Sequence, residues 1–573
     1  MATRDPLLPR TRAELTEHRE TSRHADVLAF LDDLAARTPL VHRASMGRSG
    51  EGQDMAVLVV SDDGCFTPEE ARRQGKLVVM VEANIHAGEV EGKEAVLALA
   101  RDLTLTKLGK RILSRLCLVL IPDFNPDGND RISPDNRRLD LANLEGQVNP
   151  TGGVGTRYTG EGWNLNRDAT KQEAVETRNL AQLTAAWSPH VFIDCHTTDG
   201  SIHAFDLTYD TSHSNQELFS RLQGRTREML EDTARRVRRR HGFRSFWYGN
   251  MVTDGDPSSG WHTYPALPRF GSHYRGLVGR IDVLLETYSY LDFPRRCAVM
   301  YAWLLELFRY CGKHRRGLLR AVLAQEARTV AWAERRDPRV RVGIDYGVAR
   351  RGPDGALTFD YPAHALDGDE AEIVSFDRES IKAHRYPPAE RPGALRDPPA
   401  ERGDDGGPDD ALHVYRAPHH RWFVPTTSVT LPAGYLAPAN LGDALGRHGV
   451  TFHALDREAE IEVESYLVLA SEKTFSPDVA GLVPPPGGAE IPLSAKAPPR
   501  RFETVLTVRS ERRKVRFPAG TLVVPAAQRA GILAVYLLEP CSDDGFTRWE
   551  MLDGQIAVGA LHPVHRLLEP LAS

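Results

Sequence analysis

The chain has 573 residues, too many for one compact core, so about two to four domains are expected. Its 41% apolar and 26% charged composition is ordinary for a soluble protein, and no apolar run approaches the ~18 residues needed to span a bilayer. A net charge of -6 gives no basis for a nucleic-acid or membrane partner.

The opening Met-Ala-Thr-Arg-Asp-Pro lacks the apolar core of a signal peptide, which sets the expectation of a cytoplasmic protein. Cysteines at 65, 117, 195, 297, 311 and 541 form no Cys-x-x-Cys pair, so neither a zinc ribbon nor a thioredoxin-like motif is present. Cys117 and Cys195 lie in apolar runs and read as small core residues. Cys195 directly precedes His196, but alternation along a strand sends the two side chains to opposite faces.

Residues 24–37 place Val27, Leu28, Leu31 and Leu34 on one helical face. A turn-rich connector, Gly47 to Asp54, leads to the strand Met55–Val60. A second apolar strand, from Leu77, runs into Glu82-Ala83-Asn84-Ile85-His86-Ala87-Gly88-Glu89, and a helix follows over about 92–105. A third strand, Leu116–Ile121, is closed by Pro122. From Asn125-Pro126-Asp127-Gly128 to about 168 the text is loop-like, and so long an irregular stretch in a compact domain is usually functional. A helix over Lys171–Trp187 precedes the strand Val191–Cys195, which ends at His196. A long helix over about 214–241 is stopped by Gly242. Its end carries Arg235, Arg236, Arg238, Arg239 and Arg240; favourable placement of cations at a helix C-terminus is preferred here over an anion-binding patch.

The strand Ile281–Leu285 ends in Glu286, and helical text over about 294–335 closes the first domain. Strands alternating with helices argue for an α/β fold with a mainly parallel or mixed sheet flanked by helices. Beyond 337 short β-type runs take over, among them Arg421–Val424, Ser428–Leu431 and Ile461–Glu464. The expected organisation is an α/β domain over 1–337 and a smaller β-rich accessory domain over 338–573. Loops or linkers are expected at 386–411 and 482–500, both dense in Pro.

Chemistry is expected at the carboxyl ends of the strands. With 21 His in the chain, roughly one His-x-x-Glu arises by chance, so His86 and Glu89 alone carry little. Taken singly, His86 suits a loop cap, His196 a satisfied core histidine and Glu286 an arginine partner. Taken together, His86, Glu89, His196 and Glu286 end three separate apolar runs, which favours a shared site. Two imidazoles and one carboxylate around an open position make a catalytic zinc site, and a nearby free carboxylate, for which Glu286 is placed, serves as proton carrier.

The ordered set Gly47-x-Ser49-x-Glu51-Gly52, His86-Ala87-Gly88-Glu89, Asn125-Pro126-Asp127-Gly128, Gly155-Thr156-Arg157, Asn164-Leu165-Asn166-Arg167-Asp168, His196 and Glu286 resembles the zinc carboxypeptidase family, with features similar to its cytosolic carboxypeptidase branch. The resemblance covers roughly residues 25 to 310. It implies the zinc-carboxypeptidase type of α/β fold and one zinc ion held by His86, Glu89 and His196. Glu286 resembles the general base and acid, and Arg157 the arginine that steadies the oxyanion. Asn166 and Arg167 resemble the clamp for a substrate's terminal carboxylate. The family's mobile tyrosine corresponds by spacing to Tyr264, with Tyr274 as the nearer alternative. Gly271 and Ser272 hint at an open pocket floor, and Arg269, Arg275 and Arg280 at acidic side chains, without deciding specificity.

The reading that follows is a zinc-dependent metallocarboxypeptidase that hydrolyses the C-terminal peptide bond with metal-activated water and a Glu general base. The nearest rival is an amidohydrolase of the aspartoacylase and succinylglutamate desuccinylase type acting on N-acyl amino acids; the Gly47–Gly52 segment and the Asn-Pro-Asp-Gly loop favour the peptidase. A third reading is a metal-free binding module on the same fold, against which the full residue set argues.

Overall fold

The computed structural model describes residues 8–375, apart from 63, 141–144, 199–200, 354 and 356, together with 412–475 and 502–571. The two expected loop segments, 386–411 and 482–500, lie outside the described residues. Among the described residues no helix is long and apolar enough to cross a membrane.

The first half is built on an eight-stranded mixed sheet. Its strands are β1 (Val41–Arg48), β2 (Asp54–Val60), β3 (Leu77–Ala83), β4 (Leu116–Ile121), β5 (Val191–Thr198), β6 (Leu207–Asp210), β7 (Ser245–Trp247) and β10 (Ile281–Tyr288), and their order is β1-β2-β4-β3-β5-β10-β6-β7. The central strands β4, β3, β5 and β10 run parallel, whereas β1, β2 and β6 pair antiparallel. The unbroken apolar runs of the central strands follow from burial on both faces. One face packs against the helices His24–Arg37, Glu91–Leu105, Ser220–His241 and Phe293–Arg335. The other packs with Trp187 and neighbours of the helix Val175–Trp187.

The helix Glu91–Leu105 can approach the sheet because Gly92 has no side chain: a Cβ there would lie 2.8 Å from Cys195 Cβ and 3.2 Å from Ala83 Cβ. Cys195 is thus the small, buried core residue expected of it. Its strand neighbours Thr197 and, on β10, Thr287 both donate to the buried Glu91 carboxylate, which also pairs with Arg296 at 3.3 Å. These bonds tie the ends of β5 and β10 to the helix N-terminus.

Two helices start later than their sequence periodicity predicts. The expected helix from Lys171 begins at Val175, because Gln172 adopts a left-handed φ of 54° and Asp168 accepts the Glu173 and Ala174 amides. The expected helix from 214 begins at Ser220, after Asn215 at φ 50°, whose amide exchanges two hydrogen bonds with the Gly343 backbone. Gly242 caps that helix at φ 80°, and three of the arginines at its end are engaged locally: Arg236 with Asp232, Arg238 with the Gly242 carbonyl and Arg240 with Glu306.

Strands β8 (Asn250–Thr253) and β9 (Asp256–His262) precede β10 in the chain. Beyond the long helix the chain is β-rich, as expected. It comprises β11 (Arg341–Asp345), β12 (Val348–Arg351), β13 (Leu357–Asp360), β14 (Glu370–Ser375), β15 (His413–His420), β16 (Thr427–Thr430), β17 (Gly434–Ala437), β18 (His453–Ala454), β19 (Ala459–Phe475), β20 (Phe502–Phe517), β21 (Leu522–Pro525) and β22 (His565–Leu567), with a buried helix Gly531–Leu538. Arg421–Val424, read as a strand from its apolar content, is instead an extended link with one bridge, Trp422 to His364; its Phe423 is buried by packing, not by a ladder.

The two halves share structure. Strand β15 pairs with β9 in the sheet β14-β15-β9-β8. A second core joins Phe219, Ala266, Leu277 and Ala333 to Val342, Tyr435, Leu533 and Phe546. At their junction Arg269 donates to Asp544 at 2.9 Å and to Glu503 at 3.0 Å, while Arg548 donates to Glu503 at 2.8 Å. Burial opposes charge on Arg269, but Asp544 and Glu503 outweigh it and hold the guanidinium pKa well above its usual value. Removing one partner of such a buried pair strands the other charge. Asp544→Ala is therefore expected to cost about 3–5 kcal/mol, read as a lowered midpoint in denaturant unfolding.

Candidate functional site

Strands β3, β5 and β10 are consecutive in the sheet, so their carboxyl ends lie side by side. The β10–β5 register sets Glu286 directly opposite His196, and the β3–β5 register pairs Ala83 with Cys195. After Ala83 the chain turns sharply. Asn84 takes φ 67°, held by hydrogen bonds from its amide to Asp123 at 2.7 Å and Asn129 at 3.1 Å. The Glu89 amide then donates to the His86 carbonyl at 2.8 Å, closing a four-residue turn that aims both side chains the same way.

Glu89 sits at the centre. One carboxylate oxygen lies 2.9 Å from His86 Nδ1; the other lies 3.0 Å from His196 Nδ1 and accepts the Thr197 amide at 3.0 Å. Among the described residues His86, Glu89 and His196 form a buried group whose ligand atoms all lie within 4.8 Å of one another. Two imidazole nitrogens and a carboxylate converging in this way are the donor set a zinc ion takes, so these residues fit such an ion.

The surrounding charges tune that set. Burial, then the Arg157 guanidinium, push His86 down to about 3, so it presents a neutral ring. Burial acts in the same sense on His196, but Asp194 and Glu286 overcome it and raise its pKa well above the usual value. Carboxylates that favour a proton on His196 equally favour a metal cation in its place. Asp194 lies 3.1 Å from His196 Nε2, a contact through which a carboxylate can fix an imidazole's orientation. Burial tends to raise the pKa of Glu89, yet His86, Arg137 and its hydrogen bonds hold it well below the carboxylate range.

The residues singled out from sequence converge on one cavity. Glu286 lines it together with His86, Glu89 and His196, as do Arg157, Asn166, Arg167 and Tyr264. Arg157 Nη1 lies 3.3 Å from His86 Nδ1 and 3.8 Å from the Glu89 carboxylate. Asn166 and Arg167 sit on a short 3-10 turn, Leu165–Arg167, capped by Asn164, and the Arg167 guanidinium lies 4.2 Å over the Phe270 ring. Tyr264 stacks on His273 with ring centroids 4.5 Å apart and meets Phe270 and Tyr248 edge-on. Tyr274 points elsewhere and bonds His448 at 2.8 Å. Ser272 lines the cavity, whereas Gly271 packs on Arg275. The three arginines read as a hint of acidic specificity are already engaged: Arg269 as above, Arg275 with Asp282 and Asp194, and Arg280 with Glu326 at 2.7 Å.

The Gly47–Gly52 and Asn125–Gly128 segments meet beside the site. Asp127 accepts the Ser49 hydroxyl at 2.5 Å and the Glu51 amide at 3.0 Å, and Asn125 caps the short helix Pro126–Asp130. The long segment after it is irregular but tied by bridges such as Ser133–Val154 and Arg138–Gln147.

Sequence reasoning missed two neighbours of the cluster. Asp194 was legible, since it lies two residues before His196 and therefore on the same strand face. Arg137 carried no local signal. Its Nη1 donates to Glu89 at 2.9 Å, and it passes through the space a side chain at 88 would fill: a Cβ there would lie 2.5 Å from Arg137 Cδ and 2.9 Å from the Gly155 carbonyl oxygen. Gly88 is thus needed for close approach.

The fold brings two histidines and one glutamate together as the donor set of a candidate metal centre. Residues 27–262 match the zinc carboxypeptidase family model, peptidase M14. Carboxypeptidase 2 of Trichophyton equinum is 26% identical over 180 residues, which are 31% of this chain and 28% of that protein. Carboxypeptidase 2 of Trichophyton rubrum is 25% identical over 174 residues, 30% of this chain and 28% of that protein. The chain thus spans under a third of the length of these curated relatives. Among solved structures, the metallo-carboxypeptidase of Burkholderia cenocepacia has a TM-score of 0.36 at 17% identity, covering 50% of this chain and 69% of its own. That of Pseudomonas aeruginosa, in complex with (2-guanidinoethylmercapto)succinic acid, has a TM-score of 0.35 at 17% identity, covering 51% and 68%.

Two outcomes follow for the cluster. Gly88→Ala is expected to destabilise the protein by about 1–3 kcal/mol in denaturant unfolding and to weaken zinc in a chelator competition, because Arg137 must move off Glu89. His196→Ala is expected to lose stoichiometric zinc; normal zinc content in that variant would place a ligand elsewhere.

Proposed function

We propose that the protein is a zinc-dependent metallocarboxypeptidase that binds one zinc ion per chain and removes the C-terminal residue of a peptide. The observation that carries this reading is the convergence of His86, Glu89 and His196, with Glu286 in register beside His196 on the neighbouring strand. The family match over 27–262 supports the reaction class.

Zinc held by this donor set supplies an acidified water and polarises a carbonyl oxygen. Glu286 accepts a proton on its carboxylate during attack and returns it to the departing amine, the two-way role of a general base and acid. Arg157, beside the cluster, holds its positive charge toward the oxygen on which negative charge develops. Arg167 takes the substrate's terminal carboxylate through its planar fork, and Asn166 adds a side-chain amide. The Phe270 ring under Arg167 limits where that fork can lie. Tyr264 flanks the same space.

Glu286→Gln should retain zinc, because Glu286 is not among the three clustered donors. Its turnover should fall by about 10²–10⁴-fold, the usual worth of a general base. Full activity in that variant would remove Glu286 from the mechanism. A panel of peptides with free and amidated C-termini, run beside N-acyl amino acids, tests the substrate class. Cleavage only of peptides with a free terminal carboxylate is expected. Cleavage only of N-acyl amino acids would instead support the amidohydrolase, and absence of stoichiometric zinc with no turnover would support a binding module.

A further inference from the structure

The cavity holding the His86–Glu89–His196 cluster has a volume of 920 Å³, and one wall comes from a distant part of the chain: the segment Leu357–Pro362, with Thr474 and Glu503. None of these residues lies in the stretch that matches the carboxypeptidase family. The wall is fastened at several points. Thr474 donates its hydroxyl to the Leu357 carbonyl at 2.8 Å, and Arg351, which pairs with Leu357 in the β12–β13 hairpin, donates to both Glu472 oxygens at 2.8 and 2.9 Å. The Arg548 guanidinium lies 4.4 Å over the Phe359 ring, and the same arginine donates to Glu503 at 2.8 Å.

The ion network then reaches the proposed carboxylate clamp. Glu503 also accepts Arg269, and the next residue, Phe270, carries the Arg167 guanidinium on its ring. The wall and the clamp are therefore two ends of one buried assembly. A wall fixed in this way costs no ordering entropy when a ligand arrives, as a flexible flap would. Its inner surface, with Leu357, Phe359, Tyr361 and Pro362, faces a cavity already lined by Tyr248, Tyr264 and Phe270. A volume of 920 Å³ is the size of a pocket for a small ligand, enough for a few peptide residues and too small for a folded segment.

We propose that Leu357–Pro362 is a fixed specificity wall, with Phe359 and Tyr361 as specificity-determining residues that contact the substrate. It confines the cleft to the last few residues of a flexible peptide and favours apolar or aromatic side chains there. This rests on the carboxypeptidase reading.

The test is binding in the full chain carrying Glu286→Gln and loaded with zinc, so that the peptides are not consumed. A ladder of free-carboxylate peptides with one common C-terminal dipeptide is titrated by calorimetry. It runs from the dipeptide to long chains, including one closed into a hairpin upstream. Adding Phe359→Ala with Tyr361→Ala is expected to raise the long-to-short affinity ratio about tenfold, equivalent to roughly 1.4 kcal/mol. Thr358→Trp, which adds bulk at an exposed position of the wall and removes no packing, should lower the same ratio. Tyr361→Phe, which keeps the ring, should leave it unchanged. An unmoved ratio in both the opened and the narrowed wall overturns the proposal, as does absence of peptide binding in every form. Wall-dependent binding without turnover in the chain that retains Glu286 would overturn the carboxypeptidase reading and leave the wall standing.

Discussion

One buried carboxylate holds the site together. Glu89 is reached by His86 from its own turn, by His196 and the Thr197 amide from the next strand, and by Arg137 from the long loop. An unpaired anion so deeply buried would cost several kcal/mol, and these partners together offset that cost. The arrangement works only because β3 and β5 are adjacent and parallel, which brings the ends of both strands to the same edge of the sheet. Glu286 arrives by the same constraint from β10. Asp194 and Glu286 then surround His196 with negative charge, and that field favours a cation between the three donors.

The cleft does not end where the eight-stranded sheet ends. Arg269, Glu503, Asp544 and Arg548 form a buried ion network between residues far apart in the chain. Buried ion pairs add little net stability over an apolar replacement, but they are unforgiving of the wrong geometry. Here that intolerance fixes where the β13 segment stands relative to Phe270 and Arg167. The shared core, with Ala266 and Leu277 packed among Tyr435 and Leu533, supplies the nonspecific part of the adhesion.

Much of the first half was legible from local pattern. The helix His24–Arg37 and the strands from 54, 77, 116, 191 and 281 have the apolar periodicity or unbroken apolar runs that their burial demands. Periodicity misplaces the helix starts at Lys171 and at 214 because Gln172 and Asn215 are held in left-handed conformations by their surroundings, which no propensity records. The short strands β6 to β8 escape notice because three or four residues carry too little pattern. Arg421–Val424 is overread because apolar content alone does not distinguish a strand from a link whose Phe423 is buried by its neighbours.

The sequence by itself determined which residues stand at the ends of the central strands: His86 and Glu89 after one apolar run, His196 after another, Glu286 after a third. Strand identity and side-chain alternation are local properties, so local pattern alone is enough to propose the donor set and its proton carrier. The tertiary structure decided what crosses between distant segments. It placed Arg137 in the space left by Gly88, set Tyr264 in the cavity while turning Tyr274 to His448, and closed one wall with Leu357–Pro362. These are encounters between side chains hundreds of residues apart or on irregular loops. Their geometry is set by how the two halves pack, and that packing depends on shape and buried charge rather than on any repeat in the sequence.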